Sequence, residues 1–507
     1  MRRLDSIRQI YYRGLLRSCN YTCSYCPFGR KSPSGPTSRD EQAWRRFVAA
    51  MAAWRSPVRL FLIPYGEALV HAYYREGIAQ LSTLPHVRGV GCQTNLSYPA
   101  QAWLEELRQS GAEVGKIHLW ASFHPEMTSV RRFVDQLHRL HEAGLQVCAG
   151  AVGKPDHLAL LQELRDSLSP DIYLFVNAMQ GLKRGYTAEE TLAFSRIDNL
   201  FAYDVQNAAA DWEHCMGRSE SCFVDWWGNV RACPRSRTVL GNLYGGLSLE
   251  EVPCTNRRCD CYIAFSNLIR HPLRQVMGEG MLWRTPEKIP VSAVFFDVDG
   301  TLTGADGRVP DSYAEALRWL SRRVPLYLAT SLTEDLARRR LGHSLFVLFR
   351  GGIFADGASL RGEGWGECLP LLPLSLPQPL DRMVKVTAHQ DALGHPYKYS
   401  LLPDSREEIA PLLEWLGTQP YRVSRNRRLI TLIHPQAGKK EGFLRLCARL
   451  GLPTGRVLAV GNEISDADML ACTPFSCAVL TADEALKQRV RYVLNPDRLA
   501  AFFHFSK

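Results

Sequence analysis

Three cysteines, Cys19, Cys23 and Cys26, stand at CxxxCxxC spacing within Cys-Asn-Tyr-Thr-Cys-Ser-Tyr-Cys. Three soft thiolates so spaced can each hold one iron of a cubane 4Fe-4S cluster, and the missing fourth thiol leaves one iron open to a substrate or cofactor. Zinc at the same place needs a fourth ligand close by, and none follows within the loop. Six more cysteines, Cys215, Cys222, Cys233, Cys254, Cys259 and Cys261, crowd a second stretch. Much later, an apolar run ends in Phe296-Asp297-Val298-Asp299-Gly300-Thr301. Carboxylates two residues apart on an extended chain point the same way. One can attack a phosphoryl group while the other exchanges the leaving-group proton, with a Mg2+ ion making the pair electrostatically tolerable.

These residues need a scaffold. Short apolar runs at Gln9 to Arg13, Val58 to Ile63, Arg88 to Gln93, Lys116 to Ser122, Leu145 to Gly150 and Ile172 to Asn177 read as strands. Amphipathic stretches such as Gln42 to Trp54, Gln101 to Ser110, Val130 to Ala143 and His157 to Leu168 read as helices between them. Strand and helix units recurring about every 30 residues build a parallel sheet or partial barrel, whose site lies at the C-terminal strand ends. Residues 266–290 lose periodicity and read as a linker. A new strand opens at Val291 and a second α/β domain runs to the end.

Composition narrows the classes. With 507 residues, 46% hydrophobic and 22% charged, the chain is an ordinary globular protein of about three domains. The apolar stretch from Leu369 to Leu380 is broken by four prolines, so no membrane span is expected. The N-terminal Met-Arg-Arg-Leu-Asp-Ser-Ile-Arg lacks the apolar core of a signal peptide, which predicts a cytoplasmic protein. The net charge of +10 divides into +4 up to Ala264 and +6 beyond it, without a basic run, so nucleic acid is not an expected partner. Eleven of the fifteen cysteines lie at or before Cys261, and in a reducing compartment such clusters bind metal more often than they form disulfides.

The first cluster, with the aromatic Tyr25 before its third cysteine, resembles the hallmark of the radical S-adenosylmethionine (SAM) superfamily over about residues 7 to 180. The resemblance implies that SAM binds the open iron and is cleaved reductively to a 5′-deoxyadenosyl radical. Pro64-Tyr65-Gly66-Glu67 looks like the GGE element that holds the SAM amino group, with Tyr65 in place of its first glycine. Gln93-Thr94-Asn95 and Ser122 stand where that family contacts the SAM carboxylate or ribose. The implied SAM contacts are thus Gly66, Glu67, Asn95 and Ser122. Phe123-His124-Pro125 and the residues around the cysteines further resemble an uncharacterised bacterial subgroup. Cys215 followed by Gly228-Asn-Val-Arg-Ala-Cys233 resembles the SPASM and twitch extensions, whose hairpin and later cysteines hold an auxiliary iron-sulfur cluster. Cys215, Cys233, Cys254, Cys259 and Cys261 then offer four ligands and one spare, and four thiolates would equally make a zinc site. Cys222 lies inside the hairpin, and Cys92 and Cys148 read as core.

The Asp297-Val-Asp299-Gly-Thr run resembles the first motif of the haloacid dehalogenase (HAD) phosphatases, over residues 291 to 500. That resemblance makes Asp297 the nucleophile, Asp299 the acid and base, and Thr330 a phosphate contact. It makes Lys440 the neutralising cation, favoured over Lys439 by the following Leu444. Gly461 to Leu470 fits the acidic fourth motif, with Asn462 replacing its first acid, so that Asp297, Asp299 and Asp466 would hold Mg2+. The insert 351–433 has the position and length of a C2 cap. Arg425, Arg427 and Arg428 within it either meet an anionic substrate or lie on a solvated face.

The expected α/β architecture is therefore a partial (β/α)6 radical SAM barrel over 1–200, a cysteine-rich extension over 201–265, the linker, and a Rossmann-like HAD domain with an α+β cap over 291–507. The expected enzyme cleaves SAM at its 4Fe-4S cluster and hydrolyses a phosphoester with Mg2+. Its substrate is a small molecule, phosphorylated or not, or a peptide, and its reductant a flavodoxin or ferredoxin. The alternative for the second half is a weakened binding module.

Overall fold

The structure, a computed structural model, describes residues 4–26, 28, 38–182, 184–206, 208–245 and 252–505. The chain is a mixed α/β protein with two compact units, Met1–Lys288 and Ile289–Lys507. No helix among the described residues is long and apolar enough to cross a membrane.

In the first unit, β1 (Gln9–Arg13), β2 (Val58–Leu62), β3 (Val87–Thr94), β4 (Ile117–Ser122), β5 (Gln146–Val152) and β6 (Tyr173–Asn177) are parallel neighbours in that order. The helices α1 (Ser38–Ala53), α2 (Ala72–Ser82), α3 (Ala100–Gln109), α4 (Val130–Glu142) and α5 (Leu158–Ser167) connect them. The two-residue alternation of each strand sets its faces. Ile10, Tyr12, Leu60, Leu62, Val90, Leu119 and Ala149 join one buried core with the helices. Into it α1 sends Trp44, Phe47, Val48 and Met51, the 3.6-residue stripe that made it legible as a helix. Beside β1 the sheet continues through β7 (Ser221–Asp225), parallel to it, and then β8 (Asn229–Arg231) and β9 (Gly241–Asn242), both antiparallel to their neighbours. Gly228, at φ +85°, makes the β7–β8 turn expected from Trp-Gly-Asn.

The other sheet face carries linked rings. Tyr11 meets Phe61, Phe61 stacks on Trp120, and Phe175 stands edge-on to Trp120 at 4.9 Å. The stretch expected to be a linker covers these rings, because it is rich in large apolar groups although it lacks periodicity. Its helix α6 (Pro272–Met277) leads to Met281, Leu282 and Trp283, all buried. Trp283 stacks on His118 at 3.6 Å and donates from Nε1 to the Leu60 carbonyl at 3.0 Å. Two glycines of β3 make room for it: a Cβ on Gly91 would lie 2.2 Å, and one on Gly89 2.5 Å, from its ring. Arg284, beside it, pairs with Asp204 at 2.9 Å and packs its guanidinium 3.7 Å from the ring centre of Tyr262.

In the second unit, an eight-stranded sheet runs in the order β14, β13, β12, β11, β10, β19, β20, β21. Its parallel centre is β10 (Ala293–Phe296), β11 (Leu326–Ala329), β12 (Phe349–Phe354), β19 (Val457–Gly461), β20 (Phe475–Ala478) and β21 (Tyr492–Val493). The centre is almost continuously apolar, as a sheet covered on both faces must be. The antiparallel β13 (Ser359–Gly362) and β14 (Trp365–Cys368) extend this sheet, so the first residues of the expected cap belong to the core sheet. A separate antiparallel sheet follows, ordered β15 (Val384–Gln390), β16 (Pro396–Pro403), β18 (Leu429–Ile433), β17 (Arg422–Asn426). Its apolar side, Tyr399, Leu401, Ile430 and Leu432, packs on Ile409, Leu412 and Leu416. Two further helices bear on the site: α7 (Glu334–Leu341) after β11 and α8 (Lys439–Leu450) after β18.

Candidate functional sites

The CxxxCxxC loop leaves the C-terminal end of β1 and is fastened from three sides. From β2, Gly66 lies flat against it: a Cβ there would be 1.9 Å from the Ser18 carbonyl oxygen, which also accepts the Glu67 N–H at 3.1 Å. From β3, Asn95 donates through Nδ2 to Asn20 Oδ1 at 3.1 Å and points at Cys19 Sγ at 3.7 Å. From β4, Glu126 accepts both the backbone N–H and the hydroxyl of Ser24 at 2.6 Å, and His124 Nδ1 lies 3.3 Å from Cys23 Sγ and 3.1 Å from the Tyr25 hydroxyl.

Glu67 is 2% exposed and its carboxylate accepts from Leu69 N, Thr94 Oγ1 and Asn95 N at 3.0, 2.8 and 2.6 Å. It thus ties the end of β2 to the end of β3. Burial pushes its carboxyl up to about 7 against the pull of these three donors. Ser122 ends β4 on the same strand face as Trp120, in register with Gly150. Asp40, 1% exposed at the start of α1, accepts Leu15 N at 2.7 Å and the Tyr73 hydroxyl at 2.8 Å, anchoring the chain just before the cysteines.

Among the described residues, no group of three or more His, Cys, Asp or Glu side chains is already drawn together in metal-binding geometry. The thiols do feel one another. Burial, then Cys26 and Cys19, push the Cys23 thiol up to about 11. The donor set fits an iron-sulfur cluster, whose positive irons would relieve this mutual opposition to ionisation. In the second stretch, burial first and then neighbouring cysteines push Cys233 up to about 11 and Cys259 up to about 12. Cys215, Cys233, Cys254 and Cys261 all oppose the ionisation of Cys259. The other four expected thiols thus lie near enough to Cys259 to act on it, without forming a metal-binding group among the described residues. Cys222 is 4% exposed and packed in the core of the unit, as are Cys92 on the helix-covered face and Cys148 beside Trp283.

In the second unit, Asp297 directly follows β10 and Asp466 follows β19, its neighbour in the sheet. They are 5% and 0% exposed. Lys439 Nζ bridges them, 2.8 Å from Asp297 Oδ1 and 2.7 Å from Asp466 Oδ1. The expected cation, Lys440, is exposed one residue further along α8. The correction has a plain cause: Lys439 shares its helix face with Phe443, fully buried, whereas Lys440 shares the face of Leu444, which is 43% exposed. Burial raises the Asp297 carboxyl, against Lys439, and the two carboxylates keep Lys439 charged.

Asp466, the expected third Mg2+ ligand, bonds Lys439 through one oxygen. Its other oxygen accepts the N–H groups of Asn462 and Glu463 at 3.0 and 3.2 Å, so it holds the lysine and the loop. Asn462 places its side-chain amide beside Asp297 Oδ2 and the Asp299 carbonyl. The Asp299 side chain pairs with Arg340 of α7 at 3.2 Å. Thr330, 1% exposed after β11, accepts the Leu332 N–H through its hydroxyl at 3.1 Å. Arg428 reaches the carbonyls of Pro403 and Asp404, and Arg425 donates to the Arg427 carbonyl, so two of the three cap arginines brace their own sheet. Sequence reasoning missed Lys398 of β16, 7% exposed, whose Nζ donates to the Ser331 carbonyl at 2.8 Å beside Thr330. A lysine amid alternating apolar residues was its only signal.

Residues 15–168 match the family model described as the Radical SAM superfamily, and residues 395–502 match that of haloacid dehalogenase-like hydrolases. The chain is 27% identical over 220 residues to a phosphoglycolate phosphatase of Methanothrix thermoacetophila, covering 40% of this chain and 90% of the relative. It is 26% identical over 224 residues to one of Methanopyrus kandleri, covering 41% and 91%. Among solved structures, a haloacid dehalogenase-like hydrolase from Bacteroides thetaiotaomicron matches at 15% identity and TM-score 0.36, covering 41% of this chain and 95% of that one. A protein from Geobacillus kaustophilus matches at 20% and 0.34, covering 42% and 96%. The chain thus joins a radical SAM superfamily region to a haloacid dehalogenase-like hydrolase region.

Proposed function

We propose that this enzyme couples radical chemistry started by SAM cleavage to hydrolysis of a phosphoester on one biosynthetic route. The substrate of this reading is a phosphorylated small molecule, remodelled at the first site and dephosphorylated at the second, with a flavodoxin or ferredoxin as electron donor. The first unit takes the role of a partial (β/α)6 barrel and the sheet of β15 to β18 that of a C2-type cap. Cys19, Cys23 and Cys26 would hold a 4Fe-4S cluster, which supplies the electron for SAM cleavage. Gly66, Glu67 and Asn95 lie against the loop on which SAM would sit, Ser122 ends the next strand, and Glu67 and Asn95 keep that loop in place. The Cys215 to Cys261 group would hold an auxiliary iron-sulfur cluster.

The constellation of Asp297, Lys439 and Asp466 carries the hydrolytic half of the proposal. A carboxylate oxygen of Asp297 forms a bond to phosphorus while the ester oxygen leaves, taking a proton from Asp299. A water then gives its proton to Asp299 and attacks phosphorus, freeing Asp297 and inorganic phosphate. Lys439 balances the charge of Asp297 through both steps. Asp297 and Asp299 would hold Mg2+, which would neutralise charge on the phosphoryl oxygens. The relatives named phosphoglycolate phosphatase make a small phosphorylated acid one candidate for this half.

The test uses the anaerobically reconstituted chain. SAM cleavage to 5′-deoxyadenosine and Mg2+-dependent release of phosphate from a phosphoester panel are expected together. Asp297→Asn should abolish phosphate release and leave SAM cleavage intact. A chain that cleaves SAM and releases phosphate from no ester refutes the coupling and leaves the second unit a binding module.

A further inference from the structure

One amide atom of Asn462 stands 3.1 Å from Asp297 Oδ2, 3.0 Å from the Asp299 carbonyl oxygen and 3.0 Å from Thr301 Oγ1. A carboxamide fits this place in two senses. With nitrogen inward, its N–H groups donate to the carboxylate and the carbonyl, which can only accept. With oxygen inward, only the Thr301 hydroxyl can donate to it, at 3.0 Å, and the other two oxygens face it without a proton between them. Oxygens about 3.0 Å apart are the edges of an octahedron with metal-oxygen bonds of about 2.1 Å, the shell that Mg2+ demands. The inward oxygen therefore suits a site with a cation among these atoms, and the inward nitrogen a site without one.

We propose that Asn462 stands in for the divalent cation of this site. In the cation-free enzyme its NH2 group bridges Asp297 and the Asp299 carbonyl and keeps them assembled. Mg2+ enters only as the amide turns to offer its oxygen. The surrounding charges point the same way. Lys439 already bridges Asp297 and Asp466, and Arg340 already pairs with Asp299, so three carboxylates meet two cations before any metal arrives. An aspartate at 462 would add one more negative charge and could not donate, and its site would need the metal to hold together. The second unit is thus a hydrolase centre with weak cation binding that its fold does not need, whose activity follows the free Mg2+ concentration instead of being saturated by it. This rests on the reading of Asp297 as the phosphoryl-transfer centre, but it is read out by binding and not by turnover.

Mg2+ titration of the full chain by calorimetry, on the natural protein and on Asn462→Asp, tests it. Mg2+ avoids thiolates, so the cysteine clusters do not contribute. The expected result is at least ten-fold tighter binding by Asn462→Asp. In addition, the melting transition of the second unit should be the same in chelator and in Mg2+ for the natural chain, but move upward with Mg2+ for the variant. Equal or weaker binding by the variant overturns the proposal, as does the absence of binding to both. If Asn462→Asp does not fold even with Mg2+, the natural chain alone decides: a chelator-sensitive transition overturns the proposal and a chelator-insensitive one supports it. Failure of phosphate release with this binding pattern intact would sink the hydrolase reading and leave the amide substitution standing.

Discussion

The bridging lysine gives the sharpest test of the second site. Replacing Lys439 by methionine keeps most of the stem and removes the charge that Asp297 and Asp466 share. The two oxygens that bond its Nζ lie within about 5.5 Å of each other. At an effective dielectric of about 20, two negative charges at that separation repel by about 3 kcal/mol. Breaking a buried pair by removing one partner costs about 3 to 5 kcal/mol, in agreement. Lys439→Met should therefore lower the stability of the second unit by about 3 kcal/mol at neutral pH in urea unfolding. The deficit should shrink toward acid pH, because the Asp297 carboxyl, already raised by burial, relieves the repulsion by taking up a proton and loses that relief as pH rises. Phosphate release should fall to background. Lys440→Ala, on the exposed side of the same turn, should change stability by no more than about 0.5 kcal/mol and leave phosphate release intact. Equal losses in the two variants, or a Lys439→Met deficit that does not vary with pH, would refute this assignment.

Two further outcomes test the first unit. Trp283→Ala opens a void between His118 and the β3 glycines and should cost about 3 to 5 kcal/mol in denaturant unfolding, where an ordinary linker residue would cost almost nothing. Glu67, raised by burial from its ordinary value to about 7, keeps its proton in the folded chain over a pH range where the unfolded chain has lost it. Its effect on stability is most favourable below about pH 4.5 and declines by up to about 3 kcal/mol as pH rises to about 7. Urea unfolding between pH 5 and 8 should show a shallower decline for Glu67→Gln than for the natural chain, and identical slopes would exclude the raised value.

The parts legible in the sequence are those fixed by local rules. Alternating apolar strands, the stripe of α1 and the Trp-Gly-Asn turn each depend on neighbours within a few residues, and each forms where expected. CxxxCxxC and Asp-Val-Asp are likewise contiguous. What escaped was set by distant packing. Lys439 and Lys440 differ only in which helix face meets β10, and the apolar neighbour used to choose between them, Leu444, turns outward. Asp466 matched its motif by order, but its contact with a lysine 27 residues away is set by packing that no local rule reaches. The contacts of His124 and Glu126 to the cysteine loop span about a hundred residues, and no spacing rule reaches that far.

The same distinction relocates the division of the chain. Loss of periodicity after 266 suggested a linker, because an irregular segment has no repeating face to bury. Burial needs no repeat, however, when the receiving surface is shaped for single side chains, as the β3 glycines are for Trp283. Cutting at 265 would strip Trp283 from the sheet and leave Asp204 without Arg284, its buried partner. The division instead falls between Lys288, whose Nζ bonds the Asp171 carbonyl at 2.6 Å in the first unit, and Ile289, which pairs with Phe503 in the second. Consecutive residues thus serve different cores, and the strand Ile289–Val291, running parallel to Phe503–Phe505, joins the first residues of the second unit to its last. Residues 266–288 therefore belong to the packing of the first unit, and the second unit begins its own pairing with the very next residue.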